Sequence, residues 1–478
     1  MKYILMLALL TPIFYFAFRQ KKWYLYLLFG LIGFLPEQLS VELHEKLPLL
    51  SAIRVLILIV AGFWLWKKWK TRQLILPISL LAFLGINLLI STINLRHGFD
   101  EISRMFLYIF ERALLVIAIA DLVEDRDEIH RCVDFMILGC VAVSVIAIVQ
   151  TVWEYDIASV LHLVETPSSV MIADRMGMTR AYGTYNAISF GCYCAIMVFF
   201  IYFRLENTKK FRYSIAFALT LLAMFCTLTR SAWLCCFGVL FLLVVIRRRK
   251  PILRMLPGVG LAILLCVSLC FAQPKLYKAI EQTGKSTVNT VFSVLNIRLP
   301  KGNAQDSPDE KEEPVFELDK EFGMNASDPT ASRTMQWSAV EYMTQEGELL
   351  LGYGYNSYFE GKLYYQVQKD GQSVWKEAHA IDVGFVSLLT ESGLIGFVTL
   401  MGLLGFMAVE SWRRRCKDSQ LDYYKLTLYM IPLYLLLNVM SSFLNKPVVW
   451  LFIALFYAYK RVCNNGIADR ELLLLPQK

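Results

Sequence analysis

The chain has 478 residues, 56% of them hydrophobic and only 18% charged, with a mean hydropathy of +0.48. Soluble proteins carry about a quarter charged residues, so an ordinary soluble enzyme is excluded. The net charge of +8 sits in short clusters between apolar runs, which is a membrane-topology pattern and not a nucleic-acid footprint.

In chain order the apolar segments are 3–18, 23–36, 48–66, 74–93, 105–122, 132–153, 182–203, 211–229, 231–246, 252–272, 381–409, 426–444 and 447–460. Most approach the roughly 20 residues that span a bilayer core. They predict an all-α polytopic membrane protein with about 12–13 transmembrane helices and one long, partly helical extracytoplasmic loop. In the first segment the charges follow the apolar run and no small-residue cleavage site appears, so a retained span is expected rather than a signal peptide. Most of the eleven cysteines lie within apolar runs and none lies between Gln273 and Ala380, which gives no disulfide framework and no zinc spacing.

Lys and Arg cluster at Arg19–Lys22, Lys67–Arg72, Lys209–Arg212, Arg247–Lys250, Arg413–Arg415 and Lys460-Arg461. If these connections are cytoplasmic, the alternate ones face outward: 37–47, 94–104, 154–181, Thr229–Ser231, 273–380 and 445–447. Three parts follow: an N-terminal transmembrane bundle over 1–272, a large extracytoplasmic loop over 273–380, and C-terminal transmembrane helices with a cytoplasmic tail over 381–478. Within the loop, 302–321 is acidic, Pro-containing and poor in aromatics, the composition of a flexible segment. From Asp328 the character changes. Asp328 can cap a helix that starts on Pro329 and carries Arg333, Trp337, Val340 and Glu341 at helical spacing. Gly347 allows a left-handed stop.

This topology brings Arg180, Arg230, Arg333 and His379 to one face. An arginine at a junction as tight as Arg230's is costly near lipid and calls for a partner. Bland readings compete. An arginine at a helix end often snorkels to headgroups, and His44, His97 and His162 share the outer face with His379. The tyrosines at 353, 355, 358, 364 and 365 suit an interfacial belt. Gly352-Tyr-Gly354 lacks the preceding strand and third glycine of a dinucleotide fingerprint.

In order, the chain carries Arg180-Ala-Tyr-Gly183-Thr-Tyr-Asn186, Thr229-Arg230-Ser231-Ala-Trp233, Arg333-x3-Trp337 and Gly352-x-Gly354-x-Asn356. His379 follows, and then Leu389-Thr-Glu391-Ser-Gly393-Leu-Ile-Gly396. Together, over roughly 170–410, these resemble the ordered landmarks of the O-antigen ligase and polymerase family. Two departures stand out. His379 is followed by Ala380 where many members carry Asn, and the first landmark reads Asn186-Ala-Ile rather than a Pro-containing turn.

The resemblance implies a GT-C-like membrane glycosyltransferase of surface polysaccharides such as lipopolysaccharide or capsule. It would transfer a glycan from an undecaprenyl-diphosphate carrier to an acceptor glycan or glycolipid, by single-displacement, inverting chemistry. The site would face outward on the bacterial cytoplasmic membrane. It also implies His379, Arg333 and Arg180 as catalytic, and Arg230, Gly352, Gly354, Asn356 and Glu391 as substrate-binding. Guanidinium suits the diphosphate because it is always charged and binds phosphate oxygens with two parallel bonds. A histidine titrating near neutrality can take the proton of an attacking hydroxyl. No outward Asp-x-Asp pair occurs, so no metal and no cofactor are expected. The expected partners are the lipid-linked oligosaccharide, the acceptor, the bilayer and other polysaccharide-assembly proteins, with no nucleic acid.

Polymerase and ligase remain open, since they differ only in acceptor. A lipid-linked oligosaccharide flippase is the rival from another class, but transporters tend to show repeats and a midplane site, and no repeat is evident here. A non-catalytic scaffold of a polysaccharide complex is the third reading.

Overall fold

The computed structural model describes residues 2–19, 22–35, 40–41, 50–71, 77–97, 112–154, 180–184, 187–247, 249–294, 329–354, 363–369, 372–377, 381, 383–415, 422–441 and 446–473. Helices hold 85% of these residues. The fifteen α-helices are α1 Lys2–Phe18, α2 Trp23–Ile32, α3 Ala52–Thr71, α4 Ile78–Asn94, α5 Leu114–Leu122, α6 Arg126–Trp153, α7 Ala187–Thr208, α8 Phe211–Cys226, α9 Arg230–Arg247, α10 Arg249–Ala272, α11 Pro274–Val294, α12 Pro329–Gln345, α13 Gly384–Arg414, α14 Tyr423–Met440 and α15 Pro447–Leu473. A 3-10 turn at Leu95–His97, a two-residue strand pair, β1 Ser40–Val41 with β2 Leu50–Ser51, and one antiparallel strand pair, β3 Tyr364–Lys369 with β4 Gln372–Glu377, complete the described elements.

Among the described residues, four helices can cross a membrane by length and composition: Arg126–Trp153, Ile188–Thr208, Leu253–Ala272 and Gly384–Arg414. Four further apolar helices are shorter. The bundle forms around α7, which is apolar on all sides and packs against α6, α8, α9 and α14. A helix apolar all round belongs in the middle of such a bundle. At the periphery, α10 leaves Leu253, Leu256, Ile263, Leu264 and Phe271 exposed. So continuous an apolar surface marks a face that meets lipid. The protein is therefore an all-α polytopic membrane protein.

The basic end of the bundle is closed by ion pairs. Asp121 at the end of α5 accepts from Trp64 Nε1 at 2.9 Å and pairs with Lys68 at 2.7 Å and Arg461 at 3.0 Å, which joins α3, α5 and α15. Asp134 takes two bonds from Arg204, at 2.6 and 2.9 Å, and one from the Tyr213 hydroxyl at 2.7 Å. Glu410 pairs with Arg414 and Lys460, and Lys22 with Glu124 and Glu128. These basic residues come from, or adjoin, the clusters that the sequence assigns to one side. All of them meet at one end of the bundle.

α13 is two helices in series. Its 31 residues would extend about 46 Å at 1.5 Å per residue, well beyond a hydrocarbon core of about 30 Å. The chain breaks at Gly393, whose φ of 64° and ψ of −171° are non-helical. Every residue of 384–393 is buried, whereas Leu394, Ile395, Val398, Val409 and Trp412 beyond the break are exposed. The sequence reads 381–409 as one apolar segment. In the structure, the lipid-facing part starts at the break and runs to the arginines at 413 and 414.

Candidate functional site

Arg180 lies half-buried in extended chain ahead of α7. Its Nε donates to the Thr227 carbonyl at 2.9 Å and its Nη2 to Thr229 Oγ1 at 2.8 Å. The Ala181 amide donates to the Cys226 carbonyl at 3.1 Å. The loop is thus strapped onto the α8–α9 junction, and the residue after Thr229 is Arg230, the first of α9. The structure therefore brings the Arg180 and Arg230 positions to one junction. Thr227 O and Thr229 Oγ1 are neutral oxygens, so these two bonds orient the guanidinium without cancelling its charge. Gly183 turns the loop with φ +58°, and a Cβ there would stand 2.6 Å from Val143 Cγ1.

Arg333 is on α12, which starts at Pro329 and stops as its sequence suggests. The Gly347 amide donates to Thr344 O at 3.3 Å and the Glu348 amide to Met343 O at 3.0 Å, with Gly347 at φ +77°. This is a Schellman stop. The Arg333 side chain, and Asp328, lie outside the described residues, as do Asn356 and His379. Two contacts nevertheless fix the helix beside the segment that follows His379. Gln336, buried on α12, accepts from the Val383 amide at 3.0 Å. Ala339, Met343, Tyr353, Leu363, Tyr365, Ile381, Val383 and Val386 form a second apolar core beneath it. The β3–β4 pair docks on the same helix through Gln366 N to Ser338 Oγ, at 2.7 Å, and through Tyr342, whose ring lies 5.2 Å from Tyr364 and 5.4 Å from Trp375. Burial raises the phenol pKa values of Tyr342, Tyr353 and Tyr365, so these hydroxyls stay neutral near pH 7.

The Gly352 turn locks into the Gly393 break. The Tyr353 amide donates to Thr390 O at 2.8 Å, Leu394 N to Leu349 O at 2.8 Å, and Ile395 N to Leu350 O at 3.2 Å. These bonds satisfy backbone groups that the broken helix releases, as an apolar environment requires. A Cβ on Gly352 would lie 2.7 Å from Gly393 N and from Thr390 O, and one on Gly393 would strike Leu350 O. Gly354 also has positive φ, +99°. Glu391 is buried beside the joint. From the end of α4, Asn94 Nδ2 donates to Leu351 O at 2.9 Å, and from the 3-10 turn that follows, Arg96 pairs with Glu348 at 2.6 Å.

A short path of contacts links the arginine junction to this joint. Gly191 packs on Thr227 and Thr229, and its neighbour Cys192 lies 3.2 Å, Sγ to Oγ, from Ser441. A Cβ on Gly384 would lie 3.1 Å from Ser441 O, and Val383 then meets Gln336. Arg180, Arg230, the helix of Arg333 and the start of α13 thus share one end of the bundle, opposite the ion-paired end. Among the described residues, no group of three or more His, Cys, Asp and Glu side chains gathers as a metal site needs.

Sequence reasoning missed Gln150, Asn94 and Gln336, which hold these parts. Gln150 carried a usable signal, since it is the lone amide in the apolar run 132–153, and polar side chains in such runs are costly to keep without a role.

This is a polytopic helical membrane protein with a preorganised cationic junction and an interlocked glycine turn at one end. A family model described as O-antigen ligase matches residues 215–401. That match supports assignment to the O-antigen ligase/polymerase family and an O-antigen-ligase type of function in polysaccharide assembly. It covers less than half of the chain. It includes Arg230, Arg333, Gly352, Gly354, Asn356, His379 and Glu391, and begins after Arg180. No curated protein matches the sequence.

Proposed function

We propose that the protein is a glycosyltransferase that moves a glycan from an undecaprenyl-diphosphate carrier to an acceptor sugar, on the outer face of a bacterial cytoplasmic membrane. The observation that carries this reading is that the matched stretch, 215–401, contains Arg230, Arg333 and His379, and that within it Gln336 ties the Arg333 helix to Val383, four residues after His379. The positive-inside pattern supports the outward orientation, because the basic clusters converge on the opposite end.

Arg180, Arg230 and Arg333 hold the diphosphate. His379 takes the proton from the acceptor hydroxyl as that oxygen bonds to the anomeric carbon. The bond from the anomeric carbon to the diphosphate oxygen breaks, and the carrier leaves as a lipid diphosphate. Displacement from the opposite face inverts the anomeric centre. Fixed cations aimed at the developing negative charge are the largest expected term, about 2–4 kcal/mol for one contact. They supply the charge that a metal supplies elsewhere. Gly352, Gly354, Asn356 and Glu391 serve in binding the diphosphate and its sugar.

The test is complementation of a strain deleted for the gene, with products resolved by gel electrophoresis and carbohydrate staining. The His379→Ala and Arg333→Lys chains, at wild-type protein level, should fail to restore product. Restoration at wild-type level by His379→Ala removes the assigned base. In the deletion strain, single repeats still attached to the anchor indicate a polymerase, and unattached lipid-linked polymer indicates a ligase.

A further inference from the structure

We propose that Gln150, on α6, is the positioning residue for Arg180, so that a helix outside the matched region sets the geometry of the cationic junction. This rests on the reading of Arg180 as a diphosphate ligand. Gln150 is 2% exposed in the apolar run Val145–Trp153. An amide there costs free energy unless its polar atoms are bonded, and both of them are spent on the arginine loop. Nε2 donates to Gly183 O at 3.0 Å, while Oε1 accepts from Gly183 N at 2.9 Å and from Tyr182 N at 3.4 Å.

One side chain thus grips both the N–H and the C=O of a single residue, as a partner strand would. That residue is the left-handed Gly183, three positions after Arg180. The other side of the loop is held by Ala181 to Cys226 O and by the two arginine bonds to Thr227 and Thr229. With both sides fixed, Arg180 is held beside the Arg230 position, although two like charges repel. A pair of phosphates needs two cations at a set spacing. A neutral amide is the one side chain of this shape that donates and accepts at once without adding charge. Leu does neither, and an ionised Glu cannot donate.

The test uses the full chain in nanodiscs, with undecaprenyl-diphosphate-linked repeat unit extracted from the producing cells as donor. Gln150→Leu should lower kcat/KM for the lipid donor by about tenfold or more. In an Arg180→Ala background the same change should cost no further activity, because a residue that acts through Arg180 is non-additive with it. Gln150→Glu should show a pH profile that wild type lacks. Its transfer relative to wild type should rise from about pH 8 to about pH 5, as the carboxyl takes up a proton and regains its donor.

Wild-type activity in Gln150→Leu, or losses that multiply with Arg180→Ala, overturns the proposal. If Gln150→Leu does not fold, the pH profile of Gln150→Glu decides, and a pH-independent ratio to wild type overturns it. Wild-type transfer by Arg180→Ala on its own is a different failure, which removes the diphosphate assignment beneath both readings.

Discussion

Two arginines at opposite ends of the bundle are held in opposite ways. Arg204, 7% exposed, makes a two-bond pair with Asp134 and lies over the Tyr213 ring, 5.5 Å from its centroid. Arg180, half-buried, is bonded to a backbone carbonyl and a threonine hydroxyl. The first arrangement neutralises the charge and uses it to join helices. The second directs the guanidinium through two neutral oxygens. Arg204 thus joins helices through a carboxylate, whereas the two bonds to Arg180 fix where its guanidinium points at the α8–α9 junction.

The contrast can be broken at each end. Asp134→Ala should have the largest effect, since it leaves a buried guanidinium without its carboxylate. The expected loss is about 3–5 kcal/mol, read as a large fall in the detergent melting temperature. Asp134→Leu combined with Arg204→Leu should recover most of it. Arg180→Lys should come next, but in the other observable. Glycan transfer should drop by the roughly 2–4 kcal/mol of one charge-stabilising contact, because a point charge cannot copy the fork, while melting stays within a few degrees. Asn94→Ala should cost about 1–3 kcal/mol by removing the bond to the part-buried Leu351 carbonyl. The measurement is faster hydrogen exchange at the Tyr353, Leu394 and Ile395 amides. The pair of Arg96, half exposed, with Glu348 should matter least. A double-mutant cycle of Arg96→Gln and Glu348→Gln should give less than about 1 kcal/mol, falling with added salt.

Most of the helical scaffold is legible in the sequence, because apolar runs of membrane length admit few alternatives. The stop of α12 is legible too, since Gly347 supplies the positive φ that a Schellman end needs. Three features are not. Helix α11 carries Lys275, Lys278, Glu281 and Lys285, which drop it below a membrane-hydropathy reading. Its buried stripe, Leu276, Ala279 and Thr283, is too sparse to stand out. The β3–β4 pair had a cue in Asp370-Gly371, the two-residue link favoured in tight hairpins, although its alternation is of tyrosines and glutamines rather than clear apolar and polar residues. The break at Gly393 cannot be seen in hydropathy at all. It depends on Leu349–Tyr353 supplying the missing backbone partners, a contact of long sequence separation. For the candidate site, the sequence points to Arg180 and Arg230 as neighbours only through topology. It marks Gln150 as a lone amide in an apolar run, but such an amide does not name its partner.

The chemistry is assigned to the end that carries the Arg180 loop and the Gly352–Gly393 joint. The most direct test of that assignment is transfer from purified undecaprenyl-diphosphate-linked glycan by wild type, Arg180→Ala and Asp134→Leu/Arg204→Leu, each reconstituted in nanodiscs and matched for folded protein. The double variant Asp134→Leu/Arg204→Leu should still transfer within a few fold of wild type, while Arg180→Ala should fall by about two orders of magnitude. Wild-type transfer by Arg180→Ala, with loss confined to the ion-paired end, would contradict the assignment.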